Sequence, residues 1–260
     1  MRCESVENTT IKISLSKHMT ALNDSLSALN AEEYYDSKTT TTQRSSVRNS
    51  HNFIKSVLIR QYVGTKQKIL DLGCGQGGDL LKIKQSHPSL YVGVDIAQKA
   101  IQHAQERVRN IKMGCRCEFH CIDFTTTAWP HKDFDIVNCQ FSIHFIFETP
   151  AKAEFVLNAI AKSLKPNGYF VGTVPHHPEH NTFDKIVVQL PDDTRPCKEY
   201  VVQMKDLIEL CSRFGLAHVM SERFDAYFEQ ACHTESQLRL KMNATINPDP
   251  NNFVFVFQKK

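Results

Sequence analysis

Residues 69–79 read Ile-Leu-Asp-Leu-Gly-Cys-Gly-Gln-Gly-Gly-Asp, and this run decides the fold. Ile69, Leu70 and Leu72 have the character of the end of a buried strand. Gly73, Gly75, Gly77 and Gly78 follow as a turn too crowded for side chains. Leu80, Leu81 and Ile83 then resume at helical spacing. Strand, glycine turn and helix together make a nucleotide-binding corner.

The spacing Gly73-x-Gly75-x-x-Gly78 also fits a dinucleotide fingerprint, and Asp95 is available downstream as a ribose-binding acid. Charge separates the two readings. Asp71, two residues before the first glycine, puts a carboxylate where a dinucleotide would put its pyrophosphate. Two anions in a partly dry site repel each other. S-adenosyl-L-methionine has no phosphate and carries an ammonium and a sulfonium, so an acid at the strand end suits it and disfavours NAD.

The flanking sequence extends the corner into a repeating unit. Strands are expected at Lys68–Leu72, Leu90–Asp95, Cys117–Cys121, Phe134–Cys139 and Tyr169–Val174. Helices are expected from near Gly78, over Gln98–Asn110 and from Pro150 to about Leu164. This βα alternation implies a parallel sheet with helices on both faces. Val47–Tyr62 reads as a helix with Phe53, Ile54, Val57, Leu58 and Tyr62 on its apolar side. Toward the end, Glu199–Met204 reads as a strand, Met204–Phe214 as a helix and Phe253–Phe257 as a last strand. The Pro- and His-rich residues 176–197 read as an insertion. Residues 1–30 are polar, with a short amphipathic helix the expectation for Leu15–Leu29. The Ser/Thr-rich run 36–46 is expected to be mobile without ligand.

Composition sets the outer limits. A chain of 260 residues fits one α/β domain with a large core. No stretch reaches the roughly 18 apolar residues of a membrane span, and the N-terminus lacks the apolar core of a secretory signal. Nine cysteines, an odd number, point to a reducing compartment and away from secretion. A net charge of +3 means that any nucleic-acid-binding basic surface is local.

Ligands of such sheets sit at the carboxyl ends of the strands. Acids fall at three successive ends: Asp71, Asp95 (placed for both ribose hydroxyls) and Asp123, whose neighbour Phe124 offers an apolar face to an adenine. One such acid is usually a helix cap; three exceed what capping explains. Beyond the fourth strand, Gln140-Phe141-Ser142-Ile143-His144-Phe145 sets some residues toward the ligand by alternation. His144 reads there equally as a satisfied core histidine. Cys115-x-Cys117-x-x-His120-Cys121 has the look of a metal cluster, but strand periodicity puts Cys117 and Cys121 on one face and His120 on the other. Buried free cysteines are expected there, and no metal is expected there or at His176, His177 and His180.

Three runs carry a resemblance that reaches past the fold. They are Val47-Arg48-Asn49-Ser50-His51-Asn52-Phe53-Ile54-Lys55, Leu70–Lys82 and Gln140-Phe141-Ser142-Ile143-His144. Together they resemble the mRNA cap guanine-N7 methyltransferase family, from about Tyr34 through Leu164 to Val174 and then patchily to the last strand. The resemblance implies a Rossmann-like class I methyltransferase, with a parallel-dominated seven-stranded sheet and S-adenosyl-L-methionine as cofactor. It implies a cofactor pocket of Lys55, Asp71, Gly73, Gly75, Asp95, Asp123, Gln140 and Phe145, with Lys55 on the methionine carboxylate. The implied cap side comprises His51, Asn52, Gln76, Lys82, Arg107, Phe141, His144, Glu199 and Asn252. Lys82 and Arg107 face the cap nucleotide and its phosphates, and His144 and Glu199 face the guanine. Four positions depart from the usual pattern: His51 stands for an asparagine, Gln76 for a lysine, Phe145 for a tyrosine, and Asn252 lies near a usual tyrosine.

The implied domain runs over 34–260, behind a partly disordered segment at 1–33. The implied reaction moves a methyl group from S-adenosyl-L-methionine to N7 of the guanosine of 5′-capped RNA (GpppN). Guanylyltransferase and triphosphatase activities are expected in other chains, with the protein a monomer, off the membrane and in the nucleus. Two other readings remain open on the sequence: a non-catalytic cap-binding subunit, and a methyltransferase for another RNA or a small molecule.

Overall fold

The structure, a computed structural model, describes residues 29–36, 46–189, 196–248 and 250–260. The helix expected within 15–29 and nearly all of the Ser/Thr-rich run lie outside the described residues. In chain order, α1 (Ala31–Asp36) and α2 (Ser46–Tyr62) lead into β1 (Lys68–Leu72), α3 (Leu80–Lys84), β2 (Leu90–Asp95), α4 (Gln98–Ile111), β3 (Arg116–Cys121) and β4 (Phe134–Gln140). A 3-10 turn (Ile143–Glu148), α5 (Pro150–Ser163) and β5 (Leu164–Pro175) follow. Then come β6 (Lys185–Val188), β7 (Cys197–Tyr200), α6 (Met204–Arg213), β8 (Leu216–Arg223), α7 (Phe224–Thr234), α8 (Ser236–Lys241) and β9 (Asn252–Lys259).

The main sheet has seven strands in the order β3-β2-β1-β4-β5-β9-β8. Within it β9 runs antiparallel to both neighbours, and the other adjacent pairs are parallel. Ile69 of β1 packs on the face covered by α2, α3 and α7, while Leu70 and Leu72 pack on the face covered by α5 and α6. A parallel strand covered on both sides must be apolar on both, which is why Ile69, Leu70 and Leu72 are all apolar although they face opposite sides, with Asp71 the one buried acid between them. Each fully buried Leu or Ile contributes about 1.5–3 kcal/mol. Helix α5 starts where Thr149 Oγ1 accepts from Lys152 N at 3.2 Å, with Pro150 in the first turn.

Strand β1 has β2 on one side and β4 on the other, so the connections leaving it diverge and open a crevice at the carboxyl ends. Between the expected helix and strand, Lys165–Gly168 form a bulge inside β5: pairing with β4 jumps from Phe134↔Leu164 to Ile136↔Tyr169.

Several expectations need correction. The strand expected over Glu199–Met204 is β7, Cys197–Tyr200, shifted toward the N-terminus because its partner is β6, with Ile186 opposite Glu199. The insertion at 176–197 therefore contains half of a two-stranded ribbon. Ahead of residue 34, Leu29 N donates to Pro196 O at 3.1 Å, and Lys198 N donates to Leu29 O at 3.0 Å. The helix expected from near Gly78 is short, because the glycine turn runs on to Asp79.

Candidate functional site

The glycine turn is lashed to the end of β2. Gly73 N and Cys74 N both donate to Val94 O, at 2.8 and 3.0 Å, and Gly75 N donates to Asp95 Oδ2 at 2.7 Å. Gly73 has φ +69°, and a Cβ built there would lie 2.1 Å from Ser142 Oγ. Neither the conformation nor the space admits a side chain. Asp95 also accepts from Ala97 N at 2.9 Å. Burial pushes its carboxyl up, the Ala97 and Gly75 amides oppose this, and the Asp36 charge adds to it.

Asp71 is 2% exposed. Its Oδ2 accepts from Tyr91 Oη at 2.6 Å and its Oδ1 from Asn138 Nδ2 at 2.7 Å. Asn138 Oδ1 in turn accepts from Gln140 Nε2 at 2.8 Å. Burial, then the Asp79 charge, raises the Asp71 carboxyl to about 7, against the lowering effect of the Tyr91 and Asn138 bonds and of Lys55. Gln140 Oε1 is buried with no hydrogen-bond partner.

Asp79 ties the glycine turn to α2. Lys55 Nζ lies 2.9 Å from Asp79 Oδ1, and Lys82 Nζ lies 2.6 Å from the same oxygen. Burial works to raise the Asp79 carboxyl, but the two ammonium groups outweigh it and hold the group well below the usual carboxylate range. Lys82 also donates to Asn52 Oδ1 and to Gly78 O, both at 3.0 Å. All three of its N–H donors are thus engaged inside the protein. Burial pushes the Lys82 ammonium down, and Asp79 opposes that shift. Arg107 Nη1 donates to the carbonyls of Gln76 and Gly77, at 3.3 and 3.5 Å.

Aromatic rings line the rest. His51 stacks on Phe141 with centroids 5.7 Å apart and meets Phe224 edge-on at 5.2 Å. Phe141 has φ +56°, a left-handed conformation strained for an aromatic residue. Its amide donates to Thr173 O at 3.0 Å and Thr173 Oγ1 at 3.1 Å. On the 3-10 turn, His144 lies 4.2 Å from Phe145, centroid to centroid, and its Nε2 is 3.5 Å from Glu199 Oε2 of β7. Burial, helped by His177, depresses the His144 imidazole to about 3, so it is neutral at working pH. Tyr35 of α1 meets Phe145 edge-on at 6.4 Å. Burial, then Glu199, and more weakly Asp95, push the Tyr35 hydroxyl up.

Of the expected site residues, the structure joins Gly75 and Asp95, and connects Asp71 to Gln140 through Asn138. It joins Lys82 directly to Asn52 and links Lys55 to Lys82 through Asp79; it also pairs His51 with Phe141 and His144 with Phe145 and Glu199. Asp123 instead accepts from its own loop, from Thr125 N at 2.9 Å and Thr125 Oγ1 at 2.7 Å. Asn252 starts β9 opposite Pro175, at the rim of the same sheet end. Sequence reasoning missed Asp79, Tyr91, Asn138 and Tyr35. Asp79 had a signal: it closes the glycine run at a helix start, yet makes no side-chain cap bond. In the cysteine run, Cys115 Sγ and Cys117 Sγ are 3.8 Å apart, and His120 is 3.6 Å from Glu118. Among the described residues no three His, Cys, Asp or Glu side chains are grouped to hold a metal ion, and no helix is long and apolar enough to cross a membrane.

Known proteins resemble this chain in fold and in sequence. A methyltransferase from Methanosarcina mazei, described as S-adenosylmethionine-dependent, superposes with a TM-score of 0.58 at 18% identity, covering 77% of this chain and 96% of that one. That likeness establishes the class I methyltransferase fold. The mRNA cap guanine-N(7) methyltransferase of Cryptococcus neoformans is 37% identical over 153 residues, 55% of this chain and 21% of that protein. The one from Saccharomyces cerevisiae is 29% identical over 255 residues, 76% of this chain and 58% of that protein. The chain thus spans between about a fifth and three fifths of the length of these curated relatives. The family model for the mRNA (guanine-N(7))-methyltransferase domain matches residues 18–191. By that match, over more than half of its length, the chain belongs to the mRNA (guanine-N(7))-methyltransferase family.

Proposed function

We propose that this chain transfers the methyl group of S-adenosyl-L-methionine to N7 of the terminal guanosine of 5′-capped RNA. The observation that carries the proposal is the occurrence, at one end of the sheet, of a buried acceptor without a partner and a carboxylate beside a buried imidazole. Gln140 Oε1 is the former, and Glu199 with the neutral His144 is the latter. The residues fit the cofactor. Asp71 and Asp95 supply negative field, Gly73 leaves no room for a side chain, and Gln140 Oε1 needs a donor. Lys55 is proposed to meet the methionine carboxylate, Asp95 the ribose, and Asp123 with Phe124 the adenine. When bound, the cofactor supplies an electrophilic methyl group on a cationic sulfur.

Guanine N7 carries a lone pair and no proton, so the protein needs no general base. Its task is alignment, which in favourable cases contributes up to about 7–11 kcal/mol. Glu199 accepts from the guanine Watson–Crick edge, whose N–H groups grow more acidic as the base becomes cationic, so the contact strengthens in the transition state. Phe145 and the His51–Phe141 stack offer ring faces. Arg107 and the Lys82 charge attract the phosphate bridge, while Asn52 is held by Lys82, Gln76 holds Arg107 through its backbone carbonyl, and Asn252 lies toward the rim.

Labelled S-adenosyl-L-methionine offered with GpppA- or GpppG-capped RNA tests this. Label on guanine N7 is the expected result; cofactor binding with no transfer to either cap overturns it. The proposal extends to a catalytic unit over 34–260 acting as a monomer in the nucleus, with the guanylyltransferase and triphosphatase steps in other chains.

A further inference from the structure

The chain of hydrogen bonds behind the glycine turn has a direction. Asp71 and Asn138 are register partners on β1 and β4, and Gln140 lies two residues further along β4 on the same face. Tyr91 reaches the same carboxylate from β2. An ionised carboxylate only accepts, so Asn138 must turn its NH2 toward Asp71 and its carbonyl toward Gln140. Gln140 must then spend an N–H on Asn138, and its oxygen is left over. The observed contacts follow this order, Asn138 Nδ2 to Asp71 Oδ1 at 2.7 Å and Gln140 Nε2 to Asn138 Oδ1 at 2.8 Å, with Gln140 Oε1 buried and unpartnered.

We infer that Asp71, Asn138 and Tyr91 are positioning residues that fix the amide polarity of Gln140, so that an acceptor rather than a donor faces the α-ammonium of the bound cofactor. The inference rests on the cofactor half of the proposed function and is independent of the methyl acceptor. Asp71 selects a cation here at one remove. Its own two oxygens are engaged by Tyr91 and Asn138, and its charge is passed on as the orientation of two side-chain amides. An amide at position 71 occupies the same volume but can present NH2 to Asn138. That permits both downstream amides to flip and sets an NH2 against the ammonium.

The test compares two ligands. S-adenosylhomocysteine and 5′-methylthioadenosine share the adenosine and the thioether, and differ in that the second lacks the amino-acid tail. Calorimetric titration of Asp71→Asn should show S-adenosylhomocysteine affinity reduced roughly tenfold or more, with 5′-methylthioadenosine affinity within about twofold of the parent chain. A merely structural role for Asp71 would lower both together; equal losses, or no loss for S-adenosylhomocysteine, overturn the inference. Should Asp71→Asn fail to fold, Asn138→Ala reads the same comparison while Asp71 keeps its charge and its Tyr91 bond. Tyr91→Phe leaves the direction of the two amides intact and should preserve the ratio between the ligands; a collapsed ratio counts against the relay. A parent chain that binds S-adenosylhomocysteine but methylates no cap overturns the proposed reaction and leaves the relay standing. One that binds neither ligand overturns both.

Discussion

Lys55 and Lys82 share one carboxylate oxygen: Lys55 Nζ is 2.9 Å and Lys82 Nζ 2.6 Å from Asp79 Oδ1, with all three side chains at most 15% exposed. Helix α2 is thereby fastened to the glycine turn by charge. Removing the acid sets two largely buried ammonium groups against each other. Asp79→Ala is expected to cost about 3–5 kcal/mol, the range for breaking a buried pair from one side, and to loosen Lys55 from the cofactor site. Urea unfolding measures the first effect and cofactor titration the second. Because the Asp79 carboxyl is held below its unfolded value, its contribution is present above about pH 4 and is lost as pH falls further.

Asp71 has the opposite sign. Its carboxyl stands at about 7 in the fold, raised first by burial and then by Asp79, with Tyr91, Asn138 and Lys55 pulling it down. In an unfolded chain it would titrate near 3.9, so between about pH 4 and 7 the folded chain holds the extra proton. Stability without ligand is expected to fall as pH rises through that window. A cationic ligand favours the ionised form, so affinity for S-adenosyl-L-methionine should rise with pH through about 7, with release of a proton. Calorimetry in buffers of different ionisation enthalpy reads that proton, and Asp71→Asn should abolish it.

Glu199→Ala is expected to lower the rate of cap methylation by about 10²–10³, the usual effect of removing one group that contacts developing charge. S-adenosylhomocysteine affinity should stay nearly unchanged. Collapse of cofactor binding would show that Glu199 belongs to the wrong half of the site. Since His144 is neutral down to about pH 3, the rate–pH profile should have no limb from this imidazole between about pH 5 and 8.

Gly73→Ala meets Ser142 Oγ at 2.1 Å from the ideal Cβ in a backbone at φ +69°. A loss of about 1–3 kcal/mol in stability is expected from the strain, along with weakened cofactor binding. Gly73→Ala combined with Ser142→Gly should recover part of the stability, measured by thermal unfolding, because the clash is removed while the backbone strain stays.

The strands that carry the site were legible because burial on both faces leaves short apolar runs, Ile69, Leu70 and Leu72 around the single acid Asp71 in β1 and residues 90–94 before Asp95 in β2, and the acids stand out against them. The carboxyl ends of the strands gave Asp71, Asp95 and Gln140. Half of the β6–β7 ribbon was legible, as a strand near Glu199; β6, Lys185-Ile186-Val187-Val188, was not, because it lies inside the Pro- and His-rich stretch read as an insertion and its register, Ile186 opposite Glu199, is set by a partner its own sequence does not show. In β8, mostly half-buried or exposed, His218, Ser221 and Glu222 dilute any strand pattern. Within the site, Tyr91 and Asn138 look like ordinary members of apolar strands. Only the alignment of β1 between β2 and β4 brings them to one carboxylate, and a single strand's sequence carries no record of its neighbours.

Leu29 bonds on both sides to the start of β7, through Pro196 and Lys198, and a few residues later Tyr35 lies in the field of Glu199, one position beyond Lys198. The segment from Leu29 to Asp36 and the ribbon clasp each other like the two ends of a belt, and the carboxylate proposed to hold the base sits at the buckle. A truncation that removes everything through Asp36 would leave the seven-stranded sheet complete. Its damage would surface far downstream, at a strand that has lost the backbone partner holding one of its edges.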